Sequence, residues 1–316
     1  MDSLIYSLNS TLPIFLTMLV GYVLRRIGML NNEFVNAANK FNFKITLPVM
    51  LFVDLAATDI RNNFDLRYVL FCAAVTTVMF SLIWICAKLF IKDKSIVGAF
   101  VQASYRSSVA VLGIAFIKNI CGSAGMAPVM IIGCVPLYNI FAVIVLTFEA
   151  QGDCGSFSEH IKKSLKNIAT NPIIIGILAG IAASLINLKF PSIIDRTLNN
   201  LAVMSTPLAL ITIGAAFEGK KAIAKIKPTI AASLIKLVVL PAVFLTAAIK
   251  LGFRGEELLA LIIMLGSPTT ASSYIMAKSM NNDDILTSSV IVTTTLLSAL
   301  TLTFWIFISR YLGYIG

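Results

Sequence analysis

The sequence predicts an all-α polytopic membrane protein: ten transmembrane helices in two inverted five-helix repeats, with spans four and nine broken and crossing near the centre. Three observations carry this. The 316 residues are 58% hydrophobic and only 13% charged, with a mean hydropathy of +0.90, which is too apolar for a soluble domain. Apolar runs of membrane-crossing length recur between charged or Pro/Gly/Asn-rich breaks. Prolines and glycines repeat at one fixed offset between the two halves.

A spanning helix needs about 20 apolar residues, and the runs place spans at 8–25, 35–57, 67–90, 96–118, 125–148, 171–187, 197–217, 229–250, 256–278 and 286–309. In the second span Asn36, Asn39, Lys40, Asn42 and Lys44 make the first half amphipathic, so a start at the membrane interface is expected. Residues 1–150 form the first repeat and 171–316 the second. Between them, 151–170 holds Gly152, Gly155 and three lysines and reads as a cytoplasmic linker. One alternate set of loops carries fifteen Lys and Arg and the other eight; the positive-inside rule puts the richer set in the cytoplasm and both termini outside the cell membrane. The net charge of +10 is therefore a topology signal for a protein in a lipid bilayer, and no nucleic-acid partner is expected.

An offset of 159 residues lays Thr11, Pro13 and Gly21 on Thr170, Pro172 and Gly180, Pro48 on Pro207, and Ala56 on Ala215. Five spans per half is an odd number. The second half then enters the membrane inverted, with a site expected near the midplane where the halves meet. The ninth span is the centre of the pattern. In LGSPTTASSYIMAKSMNN, Leu265 to Asn282, the apolar run is interrupted by Gly266 and Pro268 and followed by hydroxyls. Proline removes a donor and crowds the preceding turn, and carbonyls freed at that depth are tolerated only in protein or beside a wet cavity. The plainer reading is a kinked helix with hydroxyls bonded back to its own carbonyls. The same offset sets Ser107, Ser108 and Val109 against Gly266, Ser267 and Pro268. The fourth span has no proline, so its break is expected from Gly113 and the hydroxyls.

Several function classes are excluded by what is missing. Cys72, Cys86, Cys121, Cys134 and Cys154 form no close pair, and His160 is the only histidine; neither a disulfide framework nor a metal site nor His-based acid–base chemistry is expected. No Gly-Lys-Ser/Thr phosphate loop supports ATP-driven pumping, and no clustered nucleophile and base supports an enzyme. Met1 to Asn9 lacks the basic region of a signal peptide. No cofactor is expected beyond a coupling proton or sodium ion.

Three charges lie well inside spans, Asp54, Arg106 and Lys236, where each costs about 2.5–3.5 kcal/mol on insertion scales and so faces a cavity, a partner or an interface. The fork of Arg106 matches a carboxylate bidentately; it either holds an anionic substrate or serves a structural pair. Lys236 either couples transport or, the favoured reading, extends its stem to the headgroups. Asp54 is either a proton-coupling group or an anion at the outer rim. Gln102, Ser104, Ser107, Ser108, Asn139, Ser267, Thr269, Thr270, Ser272 and Ser273, with Pro268 between them, supply neutral ligands for a carboxylate or a cation, and amides freed at broken-helix N-termini favour anions.

The segments NPIIIGILAG at Asn171, PLALITIGAAF at Pro207, IKLVVLPAVF at Ile235, VPLYNIFAVIVL at Val135 and SPTTASSYIMAKSMNNDD at Ser267 resemble, in order and spacing, the auxin efflux carrier family, whose bacterial members include malate and malonate permeases. The resemblance covers nearly the whole chain. It implies a secondary transporter of small organic anions, malate-, malonate- or auxin-like carboxylates, working by elevator-type alternating access, and a homodimer. The alternative is a sodium-coupled organic anion symporter resembling the bile acid symporters, although the crossing segments show no acidic ligand. Two departures touch the site. Ser108 stands where relatives commonly have asparagine, and Ala115 where they have proline, so a shallower break is expected in span four.

Overall fold

The computed structural model describes residues 2–57, 65–109, 117, 125–150 and 165–315. Among these every regular element is a helix. The chain begins with α1 (Asp2–Arg26). The second span is α2 (Asn32–Phe41), a π-helical turn (Asn42–Thr46) and α3 (Leu47–Ala56). Asn31 caps it, its side-chain oxygen accepting from Phe34 N at 2.8 Å, and the start therefore lies about one turn earlier than residue 35. Then come α4 (Leu66–Phe90), α5 (Val97–Tyr105), α6 (Ala127–Phe148), α7 (Pro172–Leu185) and α8 (Ser192–Ala216). The short α9 (Gly219–Ala224) leads into α10 (Ile226–Leu234), a second π turn (Ile235–Val239) and α11 (Leu240–Lys250). The chain closes with α12 (Gly255–Gly266), α13 (Ser272–Ser279) and α14 (Asp284–Tyr311).

Both π turns stand just before a proline, Pro48 in the first turn of α3 and Pro241 in the first turn of α11. Proline offers no N–H and crowds the carbonyl four residues back, and a wider turn relieves that crowding. The carbonyl of Leu237, four residues before Pro241, finds a substitute donor in Trp305 Nε1 at 3.0 Å.

Among the described residues five rods are long and apolar enough to cross a membrane: α4, α6, α8, the continuous Ile226–Lys250 and α14. The described residues therefore form an all-helical membrane protein. By comparison α7, with 14 residues, rises only about 21 Å at 1.5 Å per residue, short of the roughly 30 Å hydrocarbon core. α5 and α12 stop within the fold rather than crossing it, and every residue from Val97 to Tyr105 and from Leu258 to Gly266 is buried, as a helix apolar on all sides should be. The outer face of α4, with Leu70, Leu82, Ile85, Leu89 and Phe90, is exposed and suits lipid.

The helices fall into two groups. α1, α2–α3, α7 and α8 pack on one another, while α4, α5, α6 and α10 to α14 form the second group, with α1 also lying against α14. Glycines set the spacing within the first group. A Cβ on Gly214 would collide with Met18 O of α1, and one on Gly176 would lie 2.5 Å from Pro48 O of α3, so these backbones touch only because no side chain intervenes.

Candidate functional site

α5 and α12 end against each other. α5 stops at Tyr105, and Arg106, Ser107 and Ser108 continue in non-helical backbone; α12 stops at Gly266, and Ser267 to Thr270 do likewise. A helix end leaves carbonyls without partners, and here each end is served by side chains of the other. Pro268 gives Met264 O no donor, and that carbonyl instead accepts from Ser107 Oγ at 2.5 Å and Tyr138 OH at 3.3 Å. Leu265 O accepts from Lys236 Nζ at 2.6 Å. In return Ala103 O of α5 accepts from Thr269 Oγ1 at 2.7 Å, and Ser108 N donates to Pro268 O at 2.9 Å. Thr269 N is held by Thr294 Oγ1 of α14 at 3.1 Å, and Gln102 Nε2 reaches Ser273 O at 2.9 Å. Each such bond adds only about 1 kcal/mol, but a buried carbonyl left without one costs about 1–3 kcal/mol. The crossing therefore supplies donors to the carbonyls that its two helix ends leave bare at Ala103, Met264 and Leu265.

The chain leaves helix at Arg106, whereas the sequence placed the break of span four at Gly113; Gly113 and Ala115 lie outside the described residues. Arg106 is 2% exposed. Its Nη2 donates to Asn139 Oδ1 at 2.7 Å and Ser272 Oγ at 3.0 Å, and its Nη1 lies 2.9 Å from Met276 Sδ. Nε has no partner among the described residues. All these acceptors are neutral. Asn139 is fixed in turn by donating to Val135 O at 2.9 Å, and Ser272 opens α13 with Thr270 Oγ1 3.2 Å from its hydroxyl.

Arg106 lines a cleft of about 40 Å³ between the two helix groups. Asn42, Asp54, Ser205 and Thr206 contribute from one side, and Arg106, Ser107, Ser108, Tyr138, Asn139, Thr270 and Ser272 from the other. A second cavity of about 20 Å³ shares Ser108, Thr206 and Thr270 and reaches Pro268 and Thr269. Asn42, in the first π turn, knits its wall: Nδ2 donates to Ser205 O at 2.8 Å, and Oδ1 accepts from Ser205 Oγ at 2.9 Å and Thr46 Oγ1 at 2.8 Å.

Of the residues singled out from sequence, Arg106, Ser107, Ser108, Asn139, Thr270, Ser272 and Asp54 meet at the first cleft, and Pro268 and Thr269 at the second. Gln102, Ser267 and Ser273 are buried behind it, with Gln102 Oε1, Ser267 Oγ and Ser273 Oγ lacking partners among the described residues. Ser104 bonds back to Phe100 O of its own helix at 2.7 Å. Lys236 overturns the favoured expectation of a stem reaching the headgroups. It is fully buried because the π turn carries it into the crossing, where it donates to Leu265 O and Ser107 Oγ. Tyr138, Thr294, Asn42 and Ser205 were not singled out beforehand as ligands. The hydroxyl run Thr293, Thr294, Thr295 inside an apolar span was the one signal for Thr294.

A larger opening of about 1080 Å³ lies elsewhere, lined by Arg25, Arg26, Lys220, Lys221 and Lys278 with Glu218 and Asp284. Lys221 pairs with Glu218 at 2.9 Å and Lys278 with Asp284 at 2.6 Å, so the surplus of this mouth is positive.

Comparison with known proteins gives the family. The model described as "Membrane transport protein" (Mem_trans) matches residues 6–306. A Rhizobium meliloti (strain 1021) protein named "Putative malonate transporter" is 26% identical over 208 residues, covering 64% of this chain and 64% of its own length. The uncharacterized transporter YfdV of Escherichia coli (strain K12) is 23% identical over 313 residues, 97% of this chain and 99% of its own. The uncharacterized transporter MJ1031 of Methanocaldococcus jannaschii is 24% identical over 278 residues, 85% of this chain and 88% of its own. With the family pattern running through nearly its whole length, the chain belongs to the membrane transport protein family, that of the auxin efflux carriers.

Proposed function

We propose that the protein is a secondary carrier of small organic anions, dicarboxylates of the malate and malonate kind or auxin-like carboxylates, in the cell membrane, with Arg106 as the group that receives the carboxylate. The carrying observation is the state of Arg106: a cation 2% exposed beside a cleft, whose hydrogen-bond acceptors among the described residues are all neutral. A buried charge without an opposite charge is costly, and a substrate carboxylate supplies what is missing. The first turn of α13, beginning at Ser272, presents the positive end of a helix dipole beside the same guanidinium and favours the same ligand. Ser107, Ser108, Asn139, Thr270 and Ser272 complete the pocket, and Asp54, which lines the same cleft, is the group that would carry a coupling proton. The name of the Rhizobium relative agrees in substrate class.

The cleft volume supports alternating access. About 40 Å³ admits roughly three or four waters at ~10–15 Å³ each, too little for a dicarboxylate. Binding then requires the two helix groups to part, and the groups read as the fixed and moving bodies of an elevator built from inverted repeats 1–150 and 171–316. The basic mouth at Arg25, Arg26 and Lys220 belongs to the loop set assigned to the cytoplasm and concentrates anions there.

The test is uptake of labelled malonate into proteoliposomes, with malate, other carboxylates and indole acids as competitors and with proton, sodium or no gradient imposed. Saturable uptake inhibited by carboxylates and not by neutral analogues supports the reading. Absence of uptake, together with no carboxylate-induced change in thermal stability, contradicts it.

A further inference from the structure

Lys236 is left unused by this pocket, yet it is as deeply buried as any side chain in the molecule. Its ammonium donates to Leu265 O at 2.6 Å and to Ser107 Oγ. Ser107 in turn donates to Met264 O at 2.5 Å. No carboxylate of a described residue takes part. Two of these oxygens are carbonyls of the last turn of α12, which carry the negative end of that helix dipole; the third is a hydroxyl from the opposite broken helix. Neutral carbonyl and hydroxyl oxygens at an interrupted membrane helix are the ligand set by which carriers hold an alkali cation. Here a covalently attached ammonium binds two of them directly, Leu265 O and Ser107 Oγ, and is linked to Met264 O through Ser107.

We propose that Lys236 is a tethered cation: its ammonium occupies, in this chain, a site with the chemistry of a sodium site, and the crossing is thereby assembled without any dissociable metal ion. Two consequences separate this from a generic structural lysine. The carrier works independently of sodium, and deletion of the ammonium creates a requirement for a small monovalent cation. Lys236 is a positioning residue; it acts on the substrate pocket through Ser107, which lines that pocket while bonding Lys236 and Met264. The inference rests on the crossing belonging to the carrier site, but its first test needs no substrate.

Full-length protein in detergent is melted in sodium, lithium or choline chloride at equal ionic strength. The wild type is expected to show the same Tm in all three. Lys236→Ala is expected to melt lower in choline, to recover at least half of that loss in sodium or lithium along a saturation curve, and to lose the recovery when combined with Ser107→Ala. In proteoliposomes wild-type malonate uptake should be equal with sodium and choline, and Lys236→Ala uptake should appear only with sodium. A wild type whose Tm or uptake rises with sodium overturns the proposal, and that arm decides even where Lys236→Ala does not fold. A folded Lys236→Ala indifferent to sodium and lithium overturns it as well. Sodium-stabilised Lys236→Ala in a protein that takes up no carboxylate would uphold the tethered cation and reject the substrate assignment.

Discussion

Arg106→Gln removes a charge whose hydrogen-bond partners among the described residues are all neutral, so its two effects should have opposite signs. In the substrate-free protein the guanidinium is bound to Asn139, Ser272 and Met276, and to no anionic group among the described residues. Glutamine keeps a donor for Asn139 Oδ1 while sparing the cost of a buried cation, which amounts to several kcal/mol. The Tm of the empty protein should therefore stay level or rise. Binding should suffer. A hydrogen bond to a charged group contributes about 1.5–3 kcal/mol, and at about 1.4 kcal/mol per tenfold the loss of a bidentate carboxylate contact predicts a rise in KM for malonate of roughly a hundredfold or more. Arg106→Lys keeps the charge and loses the fork, and should fall between, at about tenfold. The assay is the initial rate of uptake against concentration in proteoliposomes, paired with thermal melting. A folded Arg106→Gln with KM within about threefold of wild type would refute the assignment. A sharp drop in Tm with KM unchanged would make Arg106 structural instead.

Other expectations follow from single contacts. Thr269→Val keeps shape but leaves Ala103 O without its 2.7 Å donor, and should cost about 1–3 kcal/mol, read as a lower Tm with the α5–α12 crossing loosened. Gly214→Val places a side chain where Met18 O already sits; because backbone must move, the loss should exceed the roughly 1–3 kcal/mol of ordinary overpacking, and yield of folded protein measures it. Lys225 lies 3.0 Å from Asp283 and 3.5 Å from Asp93. Burial pulls its ammonium towards the neutral form, but the bonds to Asp283 and Asp93 outweigh this and the net shift is upward. Stability from a raised lysine is complete below the ordinary value of about 10.4 and is lost as pH rises past the folded value, so the Tm advantage over Lys225→Met should hold at neutral pH and shrink in alkali.

Much of this architecture was legible in composition and punctuation. The rods α4, α6 and α14 are uninterrupted apolar runs, and Gly266 with Pro268 fixed the stop of α12 because proline cannot extend a helix. The stop of α5 was not legible in the same way. Val97 to Tyr105 runs into Arg106 without proline, and what ends the helix is tertiary: Ala103 O and Ser108 N bond to Thr269 and Pro268, a partner about 160 residues away in sequence. Lys236 was misread for a related reason. A lysine near a helix end reaches headgroups by default, and only the π turn before Pro241 and the bare carbonyls of α12 make the inward position favourable. Asn42 looked like interface polarity, because a side-chain amide that satisfies a neighbouring helix is indistinguishable in sequence from one that faces water.

Counterflow tests the carrier itself most directly. Proteoliposomes preloaded with unlabelled malonate, and empty ones, are given trace labelled malonate outside with no ion gradient. An alternating-access carrier predicts transient accumulation of label in the loaded vesicles alone, abolished by Arg106→Gln. Equal label in loaded and empty vesicles, or none in either, would contradict it.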